Sequence, residues 1–567
     1  MDLYTKLASS CVFFVFVLLF TSSSIFAQHD ISTRQIPSTF RKATISIHTP
    51  LPNQHIWATQ FQLFTLDYHA LNTSLNGDDI PQKLNVNPAS QVTIQLPNPH
   101  GTFDEFRVFK NSTMHPELMA KFPETRTYDV VGTQDRSLKG KIDITPHGFH
   151  AMIFDRVNGT YFIDPVEQKR TDLYLVYYKK DFVTEKSMSC SHEHDEESAI
   201  LDEIVKTGDD IRISYASCVL RTYRLAVAAT GEYTTFHGGT VALALAAQVT
   251  SMNRVNGVYE REIAITMQLI PNNNLIIYTN ASNDPYTNGT PGTMITQNQT
   301  NITNVIGSAN YDIGHVFGTN SGGLAGLGVV CSNSNKARGV TGSSAPVGDP
   351  FDIDYVAHEI GHQFGANHTQ NNPCNSVNAA RYEPGSASTI MGYAGICAPN
   401  VQNNSDDYFH TRSLQEMGTF VSGSSHTCPV VTNIANQSPS IGSTNGAVTV
   451  PANTPFALTA SATDPNSSNT LVYRWEQYNN QASTQPPLAT ATGGPNFRSF
   501  ESSTNPTRYF PSLAALASNG PFTWEVVPSV SRTMNFRVTV HDDHQIGGCS
   551  DYLATTLNFD ATAGPFI

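Results

Sequence analysis

Residues 358–368 read His-Glu-Ile-Gly-His-Gln-Phe-Gly-Ala-Asn-His. Three imidazoles and a carboxylate at these intervals can hold a divalent ion and activate a water beside it. His358 and His362 are four apart, so on a helix they lie one above the other and can share one ion. Glu359 follows His358 directly and so cannot sit behind the metal; it is placed to bind the water and act as general base. His368 lies beyond the reach of a straight helix, since at about 100° per residue the next turns would carry it away from the ion. The helix must therefore stop, and Gly365 stands where a positive φ can reverse the chain. Three neutral imidazoles leave one position of a tetrahedral Zn²⁺ open for water, the arrangement of catalytic sites. An ordinary buried helix is the competing reading, but burying three histidines and a glutamate with no ion would be costly. Because the ligands must be neutral, activity is expected to fall as pH drops through roughly 6.

A second element lies downstream, in Ser388-Thr389-Ile390-Met391-Gly392-Tyr393. Met391 would offer a polarizable floor beneath the imidazoles, against the plainer reading of core packing. Tyr393 is a candidate switchable ligand or oxyanion donor, with a packing role as its alternative.

Together the two elements resemble those of metzincin zinc metalloproteases, and in particular the bacterial secreted, reprolysin-like (adamalysin-like) enzymes made with a propeptide. The likeness is most specific over 310–428. It includes His315-Val316-Phe317, the Gly-rich run Leu324-Ala325-Gly326-Leu327-Gly328-Val329-Val330-Cys331, and Lys336-Ala337-Arg338-Gly339. It implies zinc-dependent hydrolysis of protein or peptide substrates. The edge strand, Gly323, Leu324, Ala325, Gly326 and Leu327, would pair with an extended substrate through main-chain hydrogen bonds. Residues 395–409 would wall the pocket for the side chain after the scissile bond. The position of Tyr393 is the one from which astacins and serralysins supply a tyrosine hydroxyl to the metal. Thr369 departs from the family, since snake-venom and related reprolysins carry Asp after the third histidine. The resemblance further implies Cys331–Cys428 and Cys374–Cys397 disulfides. Softer likeness in Pro116-Glu117-Leu118 and Phe122-Pro123 points to a propeptide that inhibits the enzyme.

The elements needed to position these residues follow from the patterning. Strands at 221–228, 263–270 and 313–317 alternate with helices at 240–262 and 293–306, which predicts an α/β unit with a mostly parallel twisted sheet. Residues 28–185 are β-rich, with strands at 43–47, 91–96, 149–154 and 173–178 between Pro/Asn/Gly turns. A polar stretch with His192, His194, Asp195, Glu196 and Glu197 follows, the best candidate for a cleavable linker. From about 430 the composition turns to Ser/Thr/Pro/Asn with short strands, suggesting an Ig-like β-sandwich. The fold class is thus multidomain α+β. The expected division is a signal peptide at 1–27, a β-rich propeptide at 28–213 with its linker at about 186–213, a metzincin domain at 214–429, and a sandwich at 430–567. The chain stops at Gly564-Pro565-Phe566-Ile567, which leaves open further sequence beyond it.

Whole-chain properties agree. Length of 567 residues suits three or four units, and 39% hydrophobic with 14% charged residues describes a globular protein. A formal net charge of -14, with no dense Lys/Arg run, gives no reason to expect nucleic acid. Lys6, the apolar stretch 11–20 and the small exit at Ala27 read as a secretory leader, too short to cross about 30 Å of hydrocarbon. No later segment is apolar enough to span a membrane, so a secreted product with no span in its mature form is expected. Seven of the eight cysteines lie beyond the leader, an odd number for an oxidising compartment. Cys190 either serves as a latency switch, its thiolate on the zinc of the precursor, or pairs with Cys218 and leaves Cys549 odd. His192 and His194 are read as solvated. Asp284, Asp352 and Asp354 are Ca²⁺-ligand candidates against the default of solvated loop carboxylates. Two other function classes compete with the peptidase. In one, a retired enzyme adheres through its C-terminal sandwich, which the intact Glu359 argues against. The other is a zinc deacetylase, which the edge-strand segment argues against.

Overall fold

The computed structural model describes residues 32–44, 54–83, 90–183, 191–193, 218–319 and 322–564, apart from 446, 447, 468, 519, 521 and 545. The leader, Cys190, His194 and nearly all of the linker lie outside the described residues.

The N-terminal unit is built on a ten-stranded sheet, antiparallel between neighbours except where Ser32–Gln35 joins Ser90–Pro97. Several of its strands are covered on both faces, and Leu173–Tyr178 accordingly reads as a continuous apolar run. In that strand Tyr174 and Val176 enter the unit's own core. Leu173, Leu175 and Tyr177 face the other way, into the core shared with the central unit. A strand lies at Phe40–Lys42, and most of the one expected at 43–47 lies outside the described residues.

The central unit alternates strands and helices in the expected order: Val219–Ala229, Val241–Ile263, Ile265–Leu269, Pro291–Val305, Ile313–Gly318. The sheet is mixed, with parallel pairings in the majority. Val219–Ala229 pairs parallel with Ile265–Leu269 and Ile313–Gly318, and the latter parallel with Gly339–Gly342. Leu324–Gly326, however, runs antiparallel to Gly339–Gly342, and Val430–Asn433 antiparallel to the start of Val219–Ala229. The composition change at 430 therefore falls inside this sheet. The strand Ser191–Glu193 lies parallel against Leu324–Gly326.

The long helix Val241–Ile263 departs from one-sided amphipathicity. Thr240 caps it, accepting from the Leu243 N–H. Every residue from Ala244 to Glu260 is buried, including Gln248, Asn253, Arg254 and Glu260. One side of the helix packs on its own sheet and the N-terminal sheet covers the other, so the polar face finds protein partners instead of water.

The C-terminal unit consists of two sheets, of three and four strands. Leu458 and Phe510 of one share a core with Trp475, Phe536, Val538 and Phe559 of the other. Val448–Pro451 pairs parallel with Ser550–Asp560, so this assembly is mixed as well, and the expected Ig-like sandwich is not confirmed beyond two packed sheets. The unit is docked on the central unit by Arg474, which reaches Glu262 at 2.9 Å, and by a Cys218–Cys549 disulfide. That bond overturns the Cys190–Cys218 alternative and gives Cys549 its partner. The Cys331–Cys428 and Cys374–Cys397 bonds are both present. Among the described residues no helix is long and apolar enough to cross a membrane.

Candidate metal centre and substrate edge

A continuous helical run, Pro350–Ala357 in wide π-type turns and His358–Gln363 in α-helical ones, carries the first two histidines and Glu359. The helix ends at Gln363, and Gly365 adopts a φ of 94°. The reversal brings His368 back beside His362, with their Nε2 atoms 3.0 Å apart. The other two Nε2 pairs are separated by 3.1 Å (His358–His362) and 3.2 Å (His358–His368).

The far nitrogen of each ring explains what this triangle can hold. His358 Nδ1 lies 2.7 Å from the Ile390 carbonyl, His362 Nδ1 2.7 Å from that of Ala366, and His368 Nδ1 2.9 Å from that of Asn375. A carbonyl only accepts, so each Nδ1 must carry the proton and each Nε2 presents a lone pair. Three lone pairs turned on one point repel one another and suit a cation. Zinc–nitrogen bonds of about 2.0–2.1 Å at tetrahedral angles separate ligand nitrogens by roughly 3.4 Å, close to the spacing found. The cluster fits a zinc site. Burial pushes the His358 imidazole down to about 4, so its neutral form persists to lower pH than the expected fall near 6 assumed.

Neighbouring segments lock these rings. The Met391 sulfur sits against the helix, 2.4 Å from where a Cβ on Gly361 would be. Ile390, one residue earlier, supplies the carbonyl that orients His358. The Cys374–Cys397 bond anchors the loop whose Asn375 carbonyl orients His368. Tyr393 is 4% exposed, its ring centroid 4.6 Å from that of His368, and its hydroxyl lies 3.4 Å from the Asn375 amide nitrogen. Gln363 donates to the Gly314 carbonyl and accepts from His315, tying the helix end to strand Ile313–Gly318.

Sequence reasoning missed Glu383. Its buried carboxylate accepts from the Thr369 hydroxyl at 2.6 Å, the Thr389 hydroxyl at 2.5 Å and the Ser388 N–H at 3.1 Å. It thus joins the residue after the third histidine to the turn that carries Ile390 and Met391. Thr369, the departure from the reprolysin pattern, is one of its donors. No local spacing announces this role, because the three donors meet only in the folded chain.

Of the five edge residues, Leu324, Ala325 and Gly326 form the strand, with Gly323 and Leu327 flanking it. Gly323 faces the helix so closely that an added Cβ would lie 1.7 Å from Glu359 Oε1. A Gly323→Ala protein is therefore expected to fold and keep its metal, with Glu359 displaced and kcat at least tenfold lower. Comparing kcat with zinc content checks this, and an unchanged kcat would remove Gly323 from the site.

The calcium candidates are occupied by protein partners. Asp352 accepts from Arg254 and Ser251, Asp354 from the Ser405 N–H, and Asp284 from the Gly231 N–H. The proposed pocket wall contributes Cys397 and the cis Ala398–Pro399 bond, and the C-terminal unit braces the neighbouring chain. Asn371 donates to the Gln481 carbonyl, the Gly385 N–H to Gln485, and Tyr382 stacks on Tyr478 with centroids 4.1 Å apart.

His358, Glu359, His362 and His368 are each 2% exposed or less in the intact chain. Residues 219–419 match the metallopeptidase family M12B, reprolysin-like. No curated protein matches the chain in sequence.

Proposed function

We propose, from the premise that residues 219–419 are a reprolysin-like metallopeptidase domain of family M12B, that this chain is the precursor of a secreted zinc-dependent endopeptidase. The observation that carries the reading is the triangle of Nε2 atoms 3.0–3.2 Å apart, each ring held by a backbone carbonyl. His358, His362 and His368 would hold the zinc, which when bound polarises the scissile carbonyl and acidifies a water. Glu359 takes the proton of the attacking water and returns it to the leaving amine. Tyr393 places a phenol beside His368, where it can donate to the developing oxyanion. Strand Leu324–Gly326 takes the substrate main chain, so selection rests on side-chain pockets and not on the peptide backbone.

Latency is part of the proposal. The edge meant for substrate is paired with the chain's own Ser191–Glu193, and the four central residues are buried, which supports an inhibited precursor. In this reading 1–27 is a leader, 28–213 a propeptide, 214–429 the catalytic domain and 430–567 an Ig-like sandwich. Cys190 remains the candidate latency thiol. The six cysteines beyond it are taken up in three bonds, leaving it no cysteine of that set to pair with.

The test is metal removal on protein whose linker has been cut. Casein hydrolysis is expected to vanish after dialysis against 1,10-phenanthroline and to return with one equivalent of Zn²⁺. Hydrolysis that survives chelation, or a purified protein with no zinc, would end the proposal.

A further inference from the structure

The part of the N-terminal unit that blocks the substrate edge is separate from the part that docks on the catalytic unit. Blocking, among the described residues, is done by the three-residue strand Ser191–Glu193. Docking is done by the ten-stranded sheet, which covers the side of helix Val241–Ile263 turned away from its own sheet. The approach is close: a Cβ on Gly257 would lie 3.0 Å from Lys141 Cγ and from Phe154 Cζ. Met152, Phe154 and Phe162 of the N-terminal sheet share one apolar core with Leu245, Val249 and Met252 of the helix.

Buried charges cross the same junction. Arg254 lies between Asp164 of the N-terminal sheet, at 2.5 Å, and Asp352 of the catalytic unit, at 3.0 Å. Lys141 reaches Glu260 at 2.7 Å, and Lys179 reaches Asp349 at 2.6 Å. The backbone joins in as well: the His115 N–H donates to the Leu269 carbonyl and the Leu269 N–H to that of Thr113, both at 2.9 Å, extending the edge of the catalytic sheet. Undocking would return both apolar faces to water and break these pairs together. The three disulfides all lie within 218–567, so none of them ties the N-terminal unit on.

We infer that the N-terminal unit is a lasting noncovalent partner of the catalytic unit. Cutting the chain on both sides of Ser191–Glu193, within 184–217, excises that strand and frees the substrate edge while residues 32–183 stay in place, and the working enzyme is two chains. This rests on the proposed cleavage of the linker, but its test does not depend on peptidase activity.

Full-length Glu359→Ala protein, which cannot digest itself in the proposed mechanism, is nicked with limiting trypsin; the segment offers Lys186, Lys206 and Arg212. A non-reducing denaturing gel and mass spectrometry locate the cut, and size exclusion with light scattering reads the native mass. Both fragments are expected to elute together at the mass of the uncut chain and to part only in denaturant. Elution of the N-terminal fragment alone, at its own mass, overturns the inference. Wild-type protein nicked in the same way should be active at the undivided mass. Co-elution without activity would leave the docking standing and overturn the peptidase reading instead.

Discussion

Glu359→Ala protein, nicked like the wild type, still binds one zinc ion and cleaves peptide about 10³-fold more slowly, within the 10²–10⁴ range of a positioned general base. The two halves of this expectation come from different atoms. Zinc is held by the three Nε2 atoms, whose rings are oriented by the carbonyls of Ile390, Ala366 and Asn375, and Glu359 takes part in none of those contacts. The proton relay, by contrast, is assigned to Glu359, whose carboxylate lies beside Gly323 at the substrate edge. A factor of that size corresponds to about 4 kcal/mol of transition-state stabilisation. Zinc content by atomic emission and kcat/KM on a fluorogenic peptide check the two halves separately. Turnover within tenfold of wild type would show that Glu359 is not the base, and loss of zinc would show that it belongs to the metal cradle.

Arg254→Met protein is expected to lose about 3–5 kcal/mol of stability, the usual cost of removing one member of a buried ion pair. Methionine keeps much of the volume, so the loss is chiefly electrostatic. Arg254 is 2% exposed, and its removal leaves Asp164 and Asp352 facing each other across a buried junction. Burial already pushes the Asp352 carboxyl above its ordinary value, with Arg254 the main group drawing it back down. Without the guanidinium the folded-state value rises further. A group raised in this way destabilises the fold once pH exceeds its unfolded value, near 4, and the loss grows until the folded value is passed. The variant should therefore be closer to wild type at pH 4 than at pH 8. Urea midpoints at the two pH values measure this, and equal deficits at both would mean that the lost term is packing and not charge.

The catalytic element was legible in the sequence because its information is local. A spacing of four from His358 to His362, of one from His358 to Glu359, and a glycine three before His368 specify a shared ligand point, a base and a chain reversal through helix geometry alone. The alternation of strands and helices across 219–318 was legible for the same reason, since hydrophobic period reports local conformation. That a helix carried apolar residues at 241, 245, 249, 252 and 255 showed one buried side. It could not show that Arg254 and Glu260 on the other side were buried too, because their partners Asp164 and Lys141 lie about a hundred residues away.

Tertiary structure decided whatever depended on segments meeting without a spacing rule between them. The proton positions on the three ligand rings are set by carbonyls from Ile390 and Asn375, outside the motif, as well as Ala366 within it. Gly323 is required by a contact with Glu359, and Glu383 draws together Thr369, Ser388 and Thr389. The pairing of Cys218 with Cys549, 331 residues apart, has no trace in the cysteine pattern. Side-chain type and spacing along a covalent chain carry the chemistry that one turn of helix can assemble. Which distant surfaces exclude water together is settled by shape, and shape exists only once the chain has folded.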